Sequence, residues 1–304
     1  MENITPFAEA DLSAVVEFVR ATDRALSGFS EFDELILKWI LRHDRFDIER
    51  DTFVLRTGSD IVGFCALWEV GEGEALYSFL TVRPTDSYRT RAEKLLEALT
   101  ERATDRGRPG TPVRLHIDMF DAPGHDLLEQ EGWELVRRNR TMSIEANRAP
   151  RPLDIDGIEI RAGTSSDDAR LLHRLDQETF AEHWGFVPVT FEEFERRNLQ
   201  GWATDPSMWL FAYEGDEPIG MAMLEERNEM GWIQALGVRK PWRGRGVAKA
   251  LLGRSFARLA ELGFDKIGLG VDSENATGAF QLYEKAGMHI VRGDDVFEKR
   301  LGDA

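Results

Sequence analysis

The sequence predicts an α+β protein made of two tandem copies of one domain, each a mixed, mostly antiparallel sheet flanked by helices. Three observations lead there. At 304 residues the chain exceeds the usual size of one compact core, and two halves of about 150 residues would each bury their own. The stretch Ala146 to Ile155 carries Pro150 and Pro152 without hydrophobic period and reads as a linker. On either side of it one order of elements recurs. Ile61-Val62-Gly63 echoes Pro218-Ile219-Gly220, and Glu131-Gly132-Trp133 echoes Ala286-Gly287-Met288, at separations of 155 to 157 residues. A near-constant offset argues for duplication. Domains are expected at residues 1–147 and 156–304, joined by residues 148–155.

The second copy is read element by element. Ile158–Arg161 forms a short strand, and a helix enters through a loose capping pattern at Thr164 and Asp167. Thr190-Phe191-Glu192-Glu193 is a capping box that opens a second helix. Met208–Tyr213, Pro218–Leu224 and Trp232–Val238 follow as strands. Val247, Leu251, Leu252, Phe256 and Leu259 then recur at helical spacing until Gly263 stops the run. Ile267, Leu269 and Val271 alternate as one face of a strand, Ser273 offers a cap to the next helix, and a last strand runs from about Met288 to Phe297.

Composition narrows the partners. A formal net charge of -17 repels nucleic acid and anionic bilayers. No run approaches the roughly 18 apolar residues of a membrane span, and Met1-Glu2-Asn3 opens no secretory signal, so a cytoplasmic protein is expected. The single cysteine, Cys65, excludes an intrachain disulfide framework and a cysteine zinc cluster. No metal is expected, because His43, His116, His125, His173, His183 and His289 show no paired ligand spacing. A Gly-x-Ser-x-Gly elbow is absent as well.

The chemistry concentrates in Leu236-Gly237-Val238 and the segment Arg243-Gly244-Arg245-Gly246-Val247-Ala248, a strand end, a tight loop and a helix start. Gly244 and Gly246 permit positive φ and close approach of backbone, while amide N–H groups and the helix dipole converge on an anion. The ligand should carry a phosphate. No Gly-Lys-Ser or Gly-Lys-Thr makes it a Walker loop, and the antiparallel pattern of the preceding strands excludes a Rossmann unit.

These residues resemble the GNAT superfamily of acetyl-CoA-dependent N-acetyltransferases. Its pyrophosphate loop, Arg/Gln-x-x-Gly-x-Gly/Ala, is met by Arg243, Gly246 and Ala248, and its second signature by Val271 to Ala276 and Leu282 to Gly287. The resemblance covers about Ile158 to the C-terminus. It implies acetyl-CoA as co-substrate and a small-molecule amine as acceptor, with the chain a monomer or homodimer. It further implies that the backbone of Leu236 to Val238 pairs with the pantetheine arm and polarises the thioester carbonyl, that Asn275 contacts the donor, and that Tyr283 is the general acid. The glutamate that many relatives use as base is replaced by Trp232, which leaves Glu225, Glu226 and Glu229 as candidates. Glu182, His183 and Trp184, in Phe180-Ala181-Glu182-His183-Trp184-Gly185-Phe186, sit where such proteins build the acceptor pocket, and with Trp232 form the candidate substrate surface. This element and the chain length are similar to the two-domain mycothiol synthase branch. A sensor that binds acyl-CoA without turnover is the alternative of a different class.

In the first half, alignment through Leu95-Leu96 and Leu251-Leu252 puts Tyr88 in place of Gly244 and Thr90 in place of Gly246. Leu128 stands for Tyr283 and Phe120 for Asn275. A structural or substrate-shaping domain is expected there, although Arg89 and Arg91 offer a phosphate two cations.

Overall fold

The computed structural model describes residues 2–30, 32–43, 45–70, 74–199, 201–227, 229–275 and 277–302. The chain divides into two compact units, Met1–Asn139 with Val291–Ala304, and Arg140–Ile290. This division falls at Asn139, ahead of the expected boundary at residue 147. Each unit is completed by a strand from the other half of the sequence, because a strand takes its place by ladder pairing and not by chain position.

Unit 1 runs β1 (Glu2–Thr5), α1 (Leu12–Ser27), α2 (Glu34–Leu41), α3 (Ile48–Asp51), β2 (Thr52–Thr57), β3 (Asp60–Val70), β4 (Ala75–Val82), α4 (Tyr88–Arg106), β5 (Pro112–Asp118) and α5 (Ala122–Gln130). The strands lie in the order β1-β2-β3-β4-β5. Alternation along β3 shows that both faces are covered. Phe64, Ala66 and Trp68 enter one apolar cluster with Val15, Phe18 and Val19 of α1, while Cys65 and Leu67 enter another with Leu95 and Leu99 of α4. Cys65 is fully buried, and desolvation pushes its thiol far up, in keeping with a core role.

Unit 2 begins inside β6 (Glu134–Glu145), whose Met142 and Ile144 belong to its core. It continues through β7 (Ile158–Ala162), α6 (Asp168–Phe180), α7 (Phe191–Asn198), β8 (Trp209–Glu214), β9 (Glu217–Arg227), β10 (Met230–Val238), α8 (Val247–Glu261), β11 (Lys266–Asp272) and α9 (Ala279–Lys285). The strand order is β7-β8-β9-β10-β11, with β6 beside β11. β7 to β10 pair antiparallel, and β10 and β11 pair parallel. The last strand, β12 (His289–Arg300), returns to unit 1, where Asp294 to Arg300 pair antiparallel with Asp118 to Pro112 of β5.

The local signals perform as their chemistry dictates, with two corrections. Thr190 accepts the Glu193 amide at 3.2 Å and caps α7. Gly263, at φ 93°, follows the end of α8. The entry to α6, however, is tied by Asp168, whose carboxylate accepts the Thr164 amide at 2.8 Å, while Asp167 makes no capping bond. The N-cap of α9 is Gly278, at φ 76°, and not Ser273, and Asn275 turns the chain ahead of it by accepting the Thr277 amide at 2.9 Å. Among the described residues no helix is long and apolar enough to cross a membrane.

Candidate active site

Where β10 leaves β11, unit 2 opens. Pairing between them is confined to Gly231↔Ile267 through Ile233↔Leu269, whereas β10 stays paired to β9 as far as Val238↔Gly220. The β10–β9 register shifts between Ile233 and Ala235, and such a bulge sharpens the local twist, turning the end of β10 away from its parallel neighbour. The result is a cavity of about 380 Å³, flanked by Ala235 to Val238 on one strand and Leu269 to Asp272 on the other. Among the described residues the backbone edge of β10 facing it has no strand partner past Ile233, which suits an extended ligand that adds itself as a strand.

Gly237 is required by packing. A Cβ there would stand 2.1 Å from Thr179 Oγ1, so α6 lies directly on the strand. This makes Thr179, missed by sequence reasoning, part of the wall; the signal for it was the glycine itself.

Gly244 and Gly246, at φ 76° and 86°, turn the chain into α8, and with Val247 and Ala248 they line the cavity. The first amides of an α-helix have no intrahelical acceptor, and the dipole makes that end positive. The two arginines of the loop take different parts. Arg243 donates from Nε to the Val238 carbonyl at 3.0 Å, from Nη2 to the Thr179 carbonyl at 3.3 Å and from Nη1 to Glu182 at 3.2 Å. It fastens the loop to β10 and α6 and lines the cavity. Arg245 is ion-paired with Glu214, which also accepts the Trp242 indole N–H at 2.9 Å, and it lies outside the lining.

Tyr283, on α9, lines the same cavity and is only 7% exposed. No hydrogen bond joins its hydroxyl to another described residue, and desolvation pushes the phenol up to about 12. At neutral pH it is a protonated donor. Asn275 and His183 complete the opposite wall. The Asn275 carbonyl oxygen is fixed by the Thr277 amide, which leaves its Nδ2 to donate to His183 Nε2 at 3.3 Å. That contact assigns the imidazole proton to Nδ1. Burial first, and then the nearby Arg243 charge, hold His183 below the usual histidine range, which favours the neutral ring at pH 7, with its Nε2 lone pair turned to Asn275.

Several expected site residues stand elsewhere. Glu225 and Glu226 do not line the cavity. Glu225 accepts from Arg227 at 2.6 Å, on a face where Arg227 also bonds Gln234 at 2.7 Å and stacks over the Trp232 ring, and Glu226 accepts the Glu229 amide at 2.7 Å. Trp232 is a core residue, 3% exposed, whose ring occupies the space left by Gly268. Glu182 is held by Lys240 and Arg243, which pull its carboxyl below the ordinary range. Trp184 is exposed and, like Glu182, off the cavity wall. Of the acceptor-side group only His183 faces the slot. Ala276 falls outside the described residues.

The corresponding loop of unit 1 is filled. Tyr88 is buried and its hydroxyl donates to Asp121 at 2.5 Å. Arg89 is engaged by Glu93 and Gln130, and Arg91 by Glu2 and Thr85.

Residues 171–288 match the Acetyltransferase (GNAT) family. Two mycothiol acetyltransferases are similar over most of the chain. That of Thermobifida fusca is 25% identical over 97% of this chain and 96% of its own length, and that of Streptomyces scabiei is 26% identical over 77% and 75%. Among solved structures, a GCN5-related N-acetyltransferase from Sphaerobacter thermophilus superposes with a TM-score of 0.83 at 25% identity, covering 98% of this chain and 95% of that one. A tandem GNAT protein from the clavulanic acid biosynthesis pathway shares the fold over the full length of both chains, with a TM-score of 0.73 at 13% identity.

Proposed function

We propose, for a chain that is an acetyl-CoA-dependent acetyltransferase of the GNAT type, that unit 2 performs the transfer, moving acetyl to the amine of a small molecule by direct attack within a ternary complex. One observation carries this reading. A strand edge and a buried phenol, both without a partner among the described residues, border one cavity with two left-handed glycines at a helix start.

In this mechanism acetyl-CoA supplies an activated thioester. Gly244, Gly246 and the first amides of α8 hold its pyrophosphate, and the β10 edge at Leu236 to Val238 takes the pantetheine arm. A β10 amide stabilises the oxyanion that forms as the amine nitrogen attacks the carbonyl carbon. The C–N bond forms, the C–S bond breaks, and Tyr283 donates a hydrogen bond to the departing sulfur. The proton lost by the amine passes to His183 Nε2, displacing the long Asn275 contact. His183 thus takes the part first assigned to Glu225 and Glu226, because it is the neutral base on the cavity wall.

The shared name of the relatives makes the amine that mycothiol acetyltransferases acetylate the first acceptor to try. The test follows CoA release over a panel of amines that includes it, with product mass as a second readout. Amine-dependent CoA release matched by N-acetyl product is the expected result. Binding of acetyl-CoA without CoA release above hydrolysis for any amine would favour the sensor instead.

A further inference from the structure

The register shift between β10 and β9 isolates one residue. Ile233 is paired with Leu224 and Ala235 with Met223, so Gln234 is the extra residue of the bulge, with no partner across the strand. A bulge re-aims a side chain. That of Gln234 is exposed and lines the slot of unit 2 together with Thr179, Phe180 and His183.

The orientation of its amide is fixed from behind. Arg227 Nη2 donates to Gln234 Oε1 at 2.7 Å, and because a guanidinium carries donors alone, the atom turned to it is the oxygen. Arg227 is held in its turn. The same Nη2 donates to Glu225 at 2.6 Å, and the guanidinium carbon stands 4.5 Å from the centre of the Trp232 ring. A planar guanidinium gripped at its edge by a carboxylate and on its face by an indole keeps one orientation. Neither Arg227 nor Glu225 is among the residues lining the slot, so the amide oxygen is committed outside it. The two N–H groups of Nε2 diverge from that oxygen, and no hydrogen bond joins them to another described residue.

We propose that Gln234 selects the acceptor: its Nε2 donates to an oxygen carried by the amine substrate, and Arg227 and Glu225 are positioning residues for that contact. The slot then prefers amines bearing a hydrogen-bond-accepting oxygen over hydrocarbon amines. This rests on the reading that unit 2 acetylates a small-molecule amine. A ligand that covers the amide without offering an acceptor strips its water and returns nothing, and a site built on a hydrogen bond rejects such an analogue more strongly than an apolar pocket rejects a missing methylene.

The test measures kcat/KM for the full-length protein at saturating acetyl-CoA, with amines paired by shape: 2-methoxyethylamine against butylamine, and tetrahydrofurfurylamine against cyclopentylmethylamine. An ether oxygen accepts and does not donate, so each pair differs in an acceptor alone. The ratio within a pair, compared between wild type and variant, cancels the intrinsic reactivity of the amines. Gln234→Leu should lower that ratio about tenfold or more, chiefly by raising KM for the ether. Gln234→Glu still offers Arg227 an oxygen but has no N–H, and should lose the preference as fully. Arg227→Lys, which has no fork, should lower the ratio when made alone and add nothing in the Gln234→Leu background. Gln234 is exposed, so its replacement leaves the core intact, and calorimetric affinity for acetyl-CoA reports on the donor site separately. A ratio within about twofold of wild type in Gln234→Leu, or a preference retained in Gln234→Glu, would overturn the proposal while acetyl transfer stands. Acetyl-CoA binding without turnover of any of these amines would overturn the reading beneath it, and this proposal with it.

Discussion

Replacing Tyr283 by phenylalanine removes one oxygen from the slot and separates two ways in which a phenol serves acyl transfer. Because the hydroxyl bonds no described residue, its loss leaves no partner unsatisfied, and stability should change by less than about 1 kcal/mol. Burial pushes the phenol up to about 12, whereas a thiol titrates near 8.5. Complete proton transfer from Tyr283 to the departing sulfur is therefore uphill by about 5 kcal/mol. A hydrogen bond to the developing thiolate is worth about 1.5 to 3 kcal/mol, which predicts a fall in kcat of about 10- to 150-fold. The assay follows initial rates of CoA release with a thiol reagent at saturating acetyl-CoA and amine, beside calorimetric affinity for acetyl-CoA. A kcat within twofold of wild type, or an effect confined to acetyl-CoA affinity, would refute the assignment; a loss beyond 10⁴ would mean that the phenol gives up its proton outright.

Further outcomes follow from side chains already placed. His183, lowered by burial and Arg243, acts as a base only above its pKa, so wild-type kcat/KM should fall in acid only once the pH is below the ordinary histidine range. His183→Ala should lose that acid limb and about 10² in rate, with partial rescue by imidazole, and a limb that persists in the variant would exclude the role. Gly237→Ala drives a methyl onto Thr179 Oγ1 and should cost about 1 to 3 kcal/mol; chemical denaturation should show Thr179→Ala recovering part of it, and simple additivity would contradict the packing. Asp51 is fully buried and accepts from Arg102 at 2.7 Å and Arg106 at 2.6 Å. Asp51→Asn should destabilise by about 3 kcal/mol, at the low end for a broken buried pair because Arg106 keeps other acceptors. A melting temperature unchanged by that substitution would show the network to be inert.

Sequence reasoning reads best what is local. The Thr190 cap, the Gly263 stop and the glycines at the entrance to α8 each express a backbone requirement of a few neighbouring residues, and each stands where its chemistry places it. Pairing is not local, so neither the return of β12 to β5 nor the membership of Met142 and Ile144 in the second core was visible in the pattern. The direction of a side chain is equally hidden. Glu225 and Trp232 are cross-strand partners on one face of the sheet, and it is the space over Gly268 that takes the indole while Arg227 holds the carboxylate. His183 was legible as part of an aromatic and polar element, but its lone pair, depressed pKa and contact with Asn275 depend on residues 60 or more positions away.

Calorimetric titration of acetyl-CoA into the full-length protein, beside Ala248→Trp, Gly246→Trp and Thr90→Gly, bears most directly on whether the donor site lies in unit 2 alone. Ala248→Trp fills the wall at the start of α8 without the left-handed backbone that a side chain at Gly246 must strain. One site per chain, abolished by either unit 2 substitution and indifferent to Thr90→Gly, is the predicted result. Two sites per chain, or one that survives Ala248→Trp and Gly246→Trp, would contradict it.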